Sequence, residues 1–163
     1  MTNFITSTFA TIAGGIGLTF LFFITKEKIF PKIDVSDHWE LTTKTHKTER
    51  NPYKNMVIKY DLILWQENNV IRGVSEKYYE LSQQGSKTYY EKNRKRGKIH
   101  GYIEKKYFSK DNIVLNMCLA DFGRESDYLF KLKAINKNLA QGDFYSMVAQ
   151  QYGHVELVRR NKR

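Results

Sequence analysis

The stretch from Phe4 to Thr25, FITSTFATIAGGIGLTFLFFIT, contains no charged residue and is followed at once by Lys26, Glu27 and Lys28. At about 1.5 Å rise per residue, about 20 apolar residues cross the roughly 30 Å hydrocarbon core of a bilayer, so this stretch is long enough to span it once. A helix buried in a soluble core seldom runs this far without one polar face. A secretory signal peptide needs a charged leading region, a shorter apolar region and small residues before a cleavage point. Here Met1-Thr2-Asn3 carries no charged side chain, and bulky Leu21-Phe22-Phe23-Ile24 closes the segment. Lys26, Lys28 and Lys32 lie on the C-terminal side only. The positive-inside rule therefore puts that side in the cytoplasm and the amino terminus outside.

Within the span, Thr6, Ala10 and Gly14 recur every four residues, Ala13 and Gly17 form a second such pair, and Gly15 lies between them. Small residues at this spacing let helix backbones approach closely in lipid, where no hydrophobic force drives helices together. Ala10, Ala13, Gly14 and Gly17 are therefore candidate helix-packing positions, and self-association in the bilayer is expected. Small residues are also common in membrane helices generally, so the stripe has a plain reading as well.

All 27 Lys and Arg and all 17 Asp and Glu follow Thr25, so the net charge of +10 belongs to the remainder of the chain. That balance suits an anionic partner: a lipid surface, a nucleic acid or a phosphorylated small ligand. The lone Cys118 excludes an internal disulfide framework and Cys-based zinc sites, and fits a reducing compartment. Pro31 discourages a helix running on from the span, so the expected organisation is a transmembrane helix over 1–25, a juxtamembrane linker over 26–36 and one cytoplasmic domain over 37–163.

From Asp37 onward the hydrophobic period is two. Trp39, Leu41 and Thr43 share a face; Met56, Ile58, Tyr60, Leu62 and Leu64 alternate with Val57, Lys59, Asp61, Ile63 and Trp65; Ile71, Gly73, Ser75, Lys77 and Tyr79 share another face. Further strands are expected around Tyr89-Tyr90, over 98–108, 113–122 and 128–135, and in a closing hairpin of 142–149 and 154–160, with a basic hairpin loop at Asn93-Arg94-Lys95-Arg96-Gly97. Eight or nine short strands joined by tight turns predict an all-β domain. A compact antiparallel eight-stranded, up-and-down, lipocalin-like barrel is favoured over a sandwich, because closure removes exposed edges. Such a barrel has room for one small ligand.

The residues point away from catalysis. His38, His46, His100 and His154 are scattered without metal-ligand spacing, no carboxylate pair converges, and no phosphate-binding glycine motif is present, so no catalytic residue, metal or cofactor is expected. Binding is better supported: all 11 Tyr lie after the span, interleaved with cations, which suits stacking on bases beside phosphates. Candidate ligand residues are Arg72, Tyr78, Tyr79, Tyr102, Lys105 and Tyr145. Tyr and Trp also suit half-buried strands on their own account. The clusters Arg94-Lys95-Arg96 and Arg159-Arg160-Asn161-Lys162-Arg163 suit anionic headgroups as well as they suit phosphates. A long DNA or RNA partner is not expected, because the other basic residues alternate with acids.

With WEL at entry to the domain, RGVSEKYYEL and HGYIEKKYF at its centre and a closing GDFYSMVAQQYGHVELVRR hairpin behind a short membrane segment, the chain resembles the membrane β-barrel effectors of bacterial CBASS-type anti-phage signalling. Those are described as two transmembrane helices plus a β-strand-rich domain, and this chain shows one span. The resemblance implies a bacterial inner-membrane location, a cyclic oligonucleotide bound by the barrel, and oligomerisation that disrupts the membrane. The alternative is a membrane-tethered interaction module with no small ligand, which predicts a tightly packed apolar interior. A carrier of apolar molecules is a third reading, disfavoured by the cytoplasmic topology. Replacing Gly14 and Gly17 together with Leu is expected to weaken oligomers of the full chain in detergent micelles, measured by cross-linking.

Overall fold

The period-two alternation that begins at Asp37 is realised as nine strands. The computed structural model describes residues 2–25, 33–106, 109–121 and 124–160. Two units are described separately: the amino-terminal helix α1 (Thr2–Ile24) and the strand-built unit that begins at Ile33.

Helix α1 is long and apolar enough from Ile5 to Ile24 to cross a membrane, and none of that span is buried by protein. Three of its hydroxyls are bonded within the helix. The hydroxyls of Thr11, Thr19 and Thr25 donate to the carbonyls of Ser7, Gly15 and Leu21 at 3.0, 2.9 and 2.8 Å. A hydroxyl bonded within its own helix needs no outside partner, which suits a lipid surround. Beside Gly14, Gly15 and Gly17 no atom lies within 4 Å of where a Cβ would stand.

The strands are β1 (Asp37–Lys47), β2 (Val57–Glu67), β3 (Val70–Ser82), β4 (Gly85–Thr88), β5 (Lys95–Glu104), β6 (Asn112–Asp121), β7 (Arg124–Asn136), β8 (Leu139–Ser146) and β9 (Gln151–Arg159). Each pairs antiparallel with its neighbour in the order β2-β1-β9-β8-β7-β6-β5-β3, and β2 pairs with β3 to close the ring. Eight strands thus form a closed up-and-down barrel, and β4 is a short flap hydrogen-bonded to the far end of β3. Closure leaves no row of unpaired backbone groups along the ring.

The inward faces are those the alternation predicts for β1, β2, most of β3, and the Ile99-Ile103 phase of β5. Four features differ. Tyr89 and Tyr90 are not a strand: β4 ends at Thr88 and Glu91 takes φ 43°, which breaks the extended chain into a short 3-10 turn. Lys95, Arg96 and Gly97 belong to β5 instead of a loop, because they pair with Lys77, Glu76 and Ser75 of β3. The final turn is Met147–Gln150, with Ala149 and Gln150 at positive φ, so β9 begins at Gln151. Gly153 is therefore not a turn residue; a Cβ there would lie 2.0 Å from the Lys44 carbonyl oxygen and 2.8 Å from the Phe144 ring. Finally, β3 carries a bulge: Lys59 is opposite Tyr79 and Tyr60 opposite Lys77, so Tyr78 is the extra residue. The bulge swaps the phase, leaving Lys77 and then Glu80 on the inner side and Tyr79 outside.

The last residues of the expected linker also belong to the barrel. Val35 is wholly buried, the Trp39 indole donates to its carbonyl at 2.8 Å, and its own amide donates to the Gln66 side chain at 3.1 Å. This strap plugs the end of the barrel at which the chain enters. The interior runs from there through Leu41, Leu62, Ile71, Ile113 and Leu132 to an aromatic layer. In that layer Phe130 lies 6.1 Å from Tyr128 and 6.3 Å from Phe144 between ring centroids. Phe130→Ala is expected to lower the unfolding free energy by about 3–5 kcal/mol, whereas exposed Tyr145→Ala shifts it by about 0.5 kcal/mol or less, as measured by denaturant unfolding.

Candidate functional site

The strand register sorts the barrel interior by polarity. The entry end is apolar apart from Asp111, buried just before β6. At the far end, where β1 stops at Lys47 and β9 starts at Gln151, the inward positions include Thr43, Thr45, Ser75, Lys77, Ser146 and Gln151 and the hydroxyl-bearing Tyr60 and Tyr128, alongside apolar Met56, Ile58 and Leu119. Among the described residues seven polar side chains are buried, and these six are all at that end; the seventh is Asp111.

Several of these groups satisfy one another. Thr45 Oγ1 donates to Gln151 Oε1 at 3.0 Å, Gln151 Nε2 donates to the Val148 carbonyl at 3.0 Å, and Ser146 Oγ accepts from the Val148 amide at 3.3 Å. Lys77, only 7% exposed, forms a short ion pair with Glu80. The Tyr89 hydroxyl donates to the same carboxylate at 3.2 Å, and the ammonium groups of Lys77 and Lys95 lie 5.3 and 5.9 Å from the Tyr89 ring centroid. Cations over an aromatic face are held by its quadrupole. Tyr89 thus lies over the far end, placed there by the β4 flap and by its backbone amide, which donates to the Tyr78 carbonyl at 2.8 Å.

Two groups are left over. The Ser75 hydroxyl, in a residue 1% exposed, has no hydrogen-bond partner, and the hydroxyl of wholly buried Tyr60 makes no well-formed hydrogen bond, having only the Tyr128 hydroxyl within interaction range. A buried hydroxyl without a partner costs about 1–3 kcal/mol, which is why such groups concentrate where something else binds. Burial pushes the Tyr60 phenol well above its ordinary range, and burial also raises Tyr128, so both act as neutral donors or acceptors. Although burial works against its charge, Glu80 is held below its ordinary value by the hydrogen bond and field of Lys77 and by Tyr89.

The six residues picked from the sequence do not converge. Arg72 and Tyr102 are exposed on the outer face of β3 and β5, Lys105 is exposed just after β5, and Tyr145 is on the outside of β8, opposite Tyr152. Tyr78 and Tyr79 are half-buried on the outer face of β3. Tyr78 belongs to a charged network there. Arg160 donates to Glu40 at 2.9 Å, lies 2.8 Å from Asp61 and stacks 5.6 Å from the Tyr78 ring centroid. Arg94 bridges Asp61 and Glu76 at 3.5 and 3.2 Å, and Arg96 meets Glu76 at 2.9 Å. The basic stretch after Asn93 is therefore tied to β2 and β3. Burial and a hydrogen bond to Glu40 raise the Tyr78 phenol. The residues that do converge, Tyr60, Ser75, Lys77, Glu80 and Tyr89, had one sequence signal: a lysine on the inward phase of Ile71, Gly73 and Ser75.

Elsewhere, a depression of about 560 Å³ on the outer surface is lined by Val74, Arg96, Lys98, Cys118, Ala120 and Glu125 among others. Burial, reinforced by Asp127 and Glu125, raises the Cys118 thiol, which disfavours the reactive thiolate. Among the described residues no three His, Cys, Asp or Glu side chains cluster as a metal site.

No family model and no curated protein matches the chain. Among solved structures it is similar to a de novo designed fluorescence-activating β-barrel, at 12% identity and a TM-score of 0.55, over 79% of this chain and all of the other. At that identity the likeness concerns the fold, and it agrees with the closed eight-stranded barrel.

The outer network makes a prediction about acid. Burial opposes the charge of Glu40, but hydrogen bonds from Arg160 and Tyr78 and the nearby Lys59 hold its carboxyl below the ordinary 4.5. A depressed carboxylate contributes stability that is complete above its unfolded value and is lost as pH falls through the folded one. Melting temperature is therefore expected to fall less steeply between about pH 5 and about pH 3 in Glu40→Gln than in the unaltered chain.

Proposed function

We propose that this chain is a membrane-anchored effector of anti-phage defence whose barrel takes a cyclic oligonucleotide at its polar end. The observation that carries the ligand reading is the pairing of a buried lysine, Lys77, with the unsatisfied hydroxyls of Tyr60 and Ser75 in one end of a largely apolar barrel. A phosphate that replaced the Tyr89 ring between Lys77 and Lys95 would meet the Lys95 ammonium and share that of Lys77 with Glu80, and the displaced tyrosine offers a face for a base. The two buried hydroxyls would supply hydrogen bonds that the protein alone leaves unmade.

The output would run through α1. The exposed backbone beside Gly14 and Gly17 permits close helix contacts, so a ligand that binds the assembled form better than the single chain would favour clustered helices and a perturbed inner membrane. The ligand can shift that balance only by its difference in affinity for the two forms. Lys26, Lys28 and Lys32 orient the barrel to the cytoplasm.

A second reading, a tethered interaction module without a small ligand, is favoured by a different observation. The entry half of the barrel is filled with apolar side chains, and Arg72, Tyr102, Lys105 and Tyr145 all face outward. The two readings separate in one experiment, a thermal-shift screen of the full chain in detergent against cyclic di- and trinucleotides. The first expects one nucleotide at 100 times its dissociation constant to add about 2.7 kcal/mol of stability. Tyr60→Phe, which keeps the shape, and Lys77→Gln should both abolish that shift, and exposed Tyr145→Ala should not. A flat response across the panel favours the module.

A further inference from the structure

We propose that the outer face of β2, β3 and β5 around Trp65 docks onto the anionic surface of the bilayer that holds α1. Five large apolar side chains stand exposed there on three adjacent strands: Ile63 (55%), Trp65 (42%), Val70 (48%), Val74 (43%) and Tyr102 (52%). The register makes them one surface, since Ile63 is opposite Val74 and Val70 is opposite Tyr102. Between them lie cations: Arg72 is opposite both Trp65 and His100, and Lys98 is opposite Val74. Of the carboxylates near the patch, Asp61 and Glu76 are engaged with arginines of the outer network and Glu104 with the Asn112 side-chain amide at 2.8 Å; Glu67 stands at its edge by the turn into β3, and exposed Glu125 lines the depression beside Val74 and Lys98.

This composition selects the occupant. Trp and Tyr beside Lys and Arg are what settles at the headgroup level of a membrane, where rings enter the acyl boundary and cations meet lipid phosphates. A second copy of the chain fits less well, because an isologous interface centred on this patch would bring Arg72 and Lys98 near their own counterparts, with Glu67 and Glu125 only at its margins.

The tether supplies an independent argument. The chain enters the barrel beside this patch: the Gln66 amide, next to Trp65, donates to Ser36 Oγ at 3.0 Å, and the Gln66 side chain accepts from the Val35 amide at 3.1 Å. Seven residues, 26–32, separate Thr25 from Ile33, and the eight steps between those two residues reach at most about 29 Å. Once α1 is inserted, the bilayer surface is present at high effective concentration for whatever lies beside the entry point. The inference rests on α1 being a membrane span, but not on the identity of any ligand.

The test uses intrinsic fluorescence, because α1 has no tryptophan and the chain's 2 Trp are both in the barrel, Trp39 buried at 3% and Trp65 in the patch. The full chain is reconstituted into phosphatidylcholine–phosphatidylglycerol vesicles whose phosphatidylcholine carries bromine at shallow acyl positions. Loss of about half of the tryptophan emission is expected, with no such loss in Trp65→Phe, and a smaller loss in Arg72→Gln/Lys98→Gln or in vesicles lacking phosphatidylglycerol. A chain that resists alkaline carbonate extraction yet keeps its full emission overturns the docking while leaving the anchor intact. A chain extracted by carbonate overturns both. Shielding of Trp65 from aqueous iodide that depends on protein concentration, without bromine quenching, assigns the patch to a second copy and overturns the proposal.

Discussion

Everything in the barrel depends on the pairing of its first strand with its last. Trp39–Lys47 of β1 meets Tyr152–Arg159 of β9 across more than a hundred residues of chain, and only that ladder converts a meander into a ring. Once the ring is closed, inward and outward positions are set for all eight strands at once. The pleat then decides which side chains form the core. Gly153 lets this seam close, because the Lys44 carbonyl occupies the space a side chain would need. The Phe144 ring covers the same glycine, so the tight approach at the seam is packed and not hollow.

The closed ring explains why the interior has a polarity gradient and not a uniform core. At the entry end the strap around Val35 excludes water, and an apolar filling is the stable one. At the other end the ring is covered by a flap held through polar contacts, and the inward positions can be hydroxyls, an amide and an ion pair provided they satisfy one another. Most do. Tyr60 and Ser75 are the exceptions, and they sit beside the charged pair of Lys77 and Glu80 instead of being dispersed through the core.

How far the sequence could be read follows from where local pattern and tertiary geometry part company. The apolar span and the eight-stranded ring were legible because both rest on simple periods: an uninterrupted apolar run, and alternation sustained from Trp39 to Leu157. The bulge at Tyr78 was not legible, since an inserted residue leaves every side chain locally plausible while exchanging inside for outside beyond it. That exchange moved Glu80 to the inner side and Tyr79 to the outer. Tyr89-Tyr90 looked like a strand by residue type, yet Tyr89 is drawn over Lys77 and Lys95 by contacts with the neighbouring strands β3 and β5. The candidate ligand residues were chosen by type, and type alone does not choose a face. Lys77 was readable in principle, because its phase with Ile71, Gly73 and Ser75 marks a charged group pointing inward.

The Val35 strap has a mechanical consequence. Since Val35 is buried and tied to Trp39 and Gln66, tension carried along the linker reaches the barrel through β1, a strand with neighbours on both sides. Its ladder bonds to β2 and β9 run across the direction of pull, so they are loaded together in shear and are not peeled one after another. The chain thus enters the barrel through a strand paired on both sides, with no free edge at which unzipping could begin.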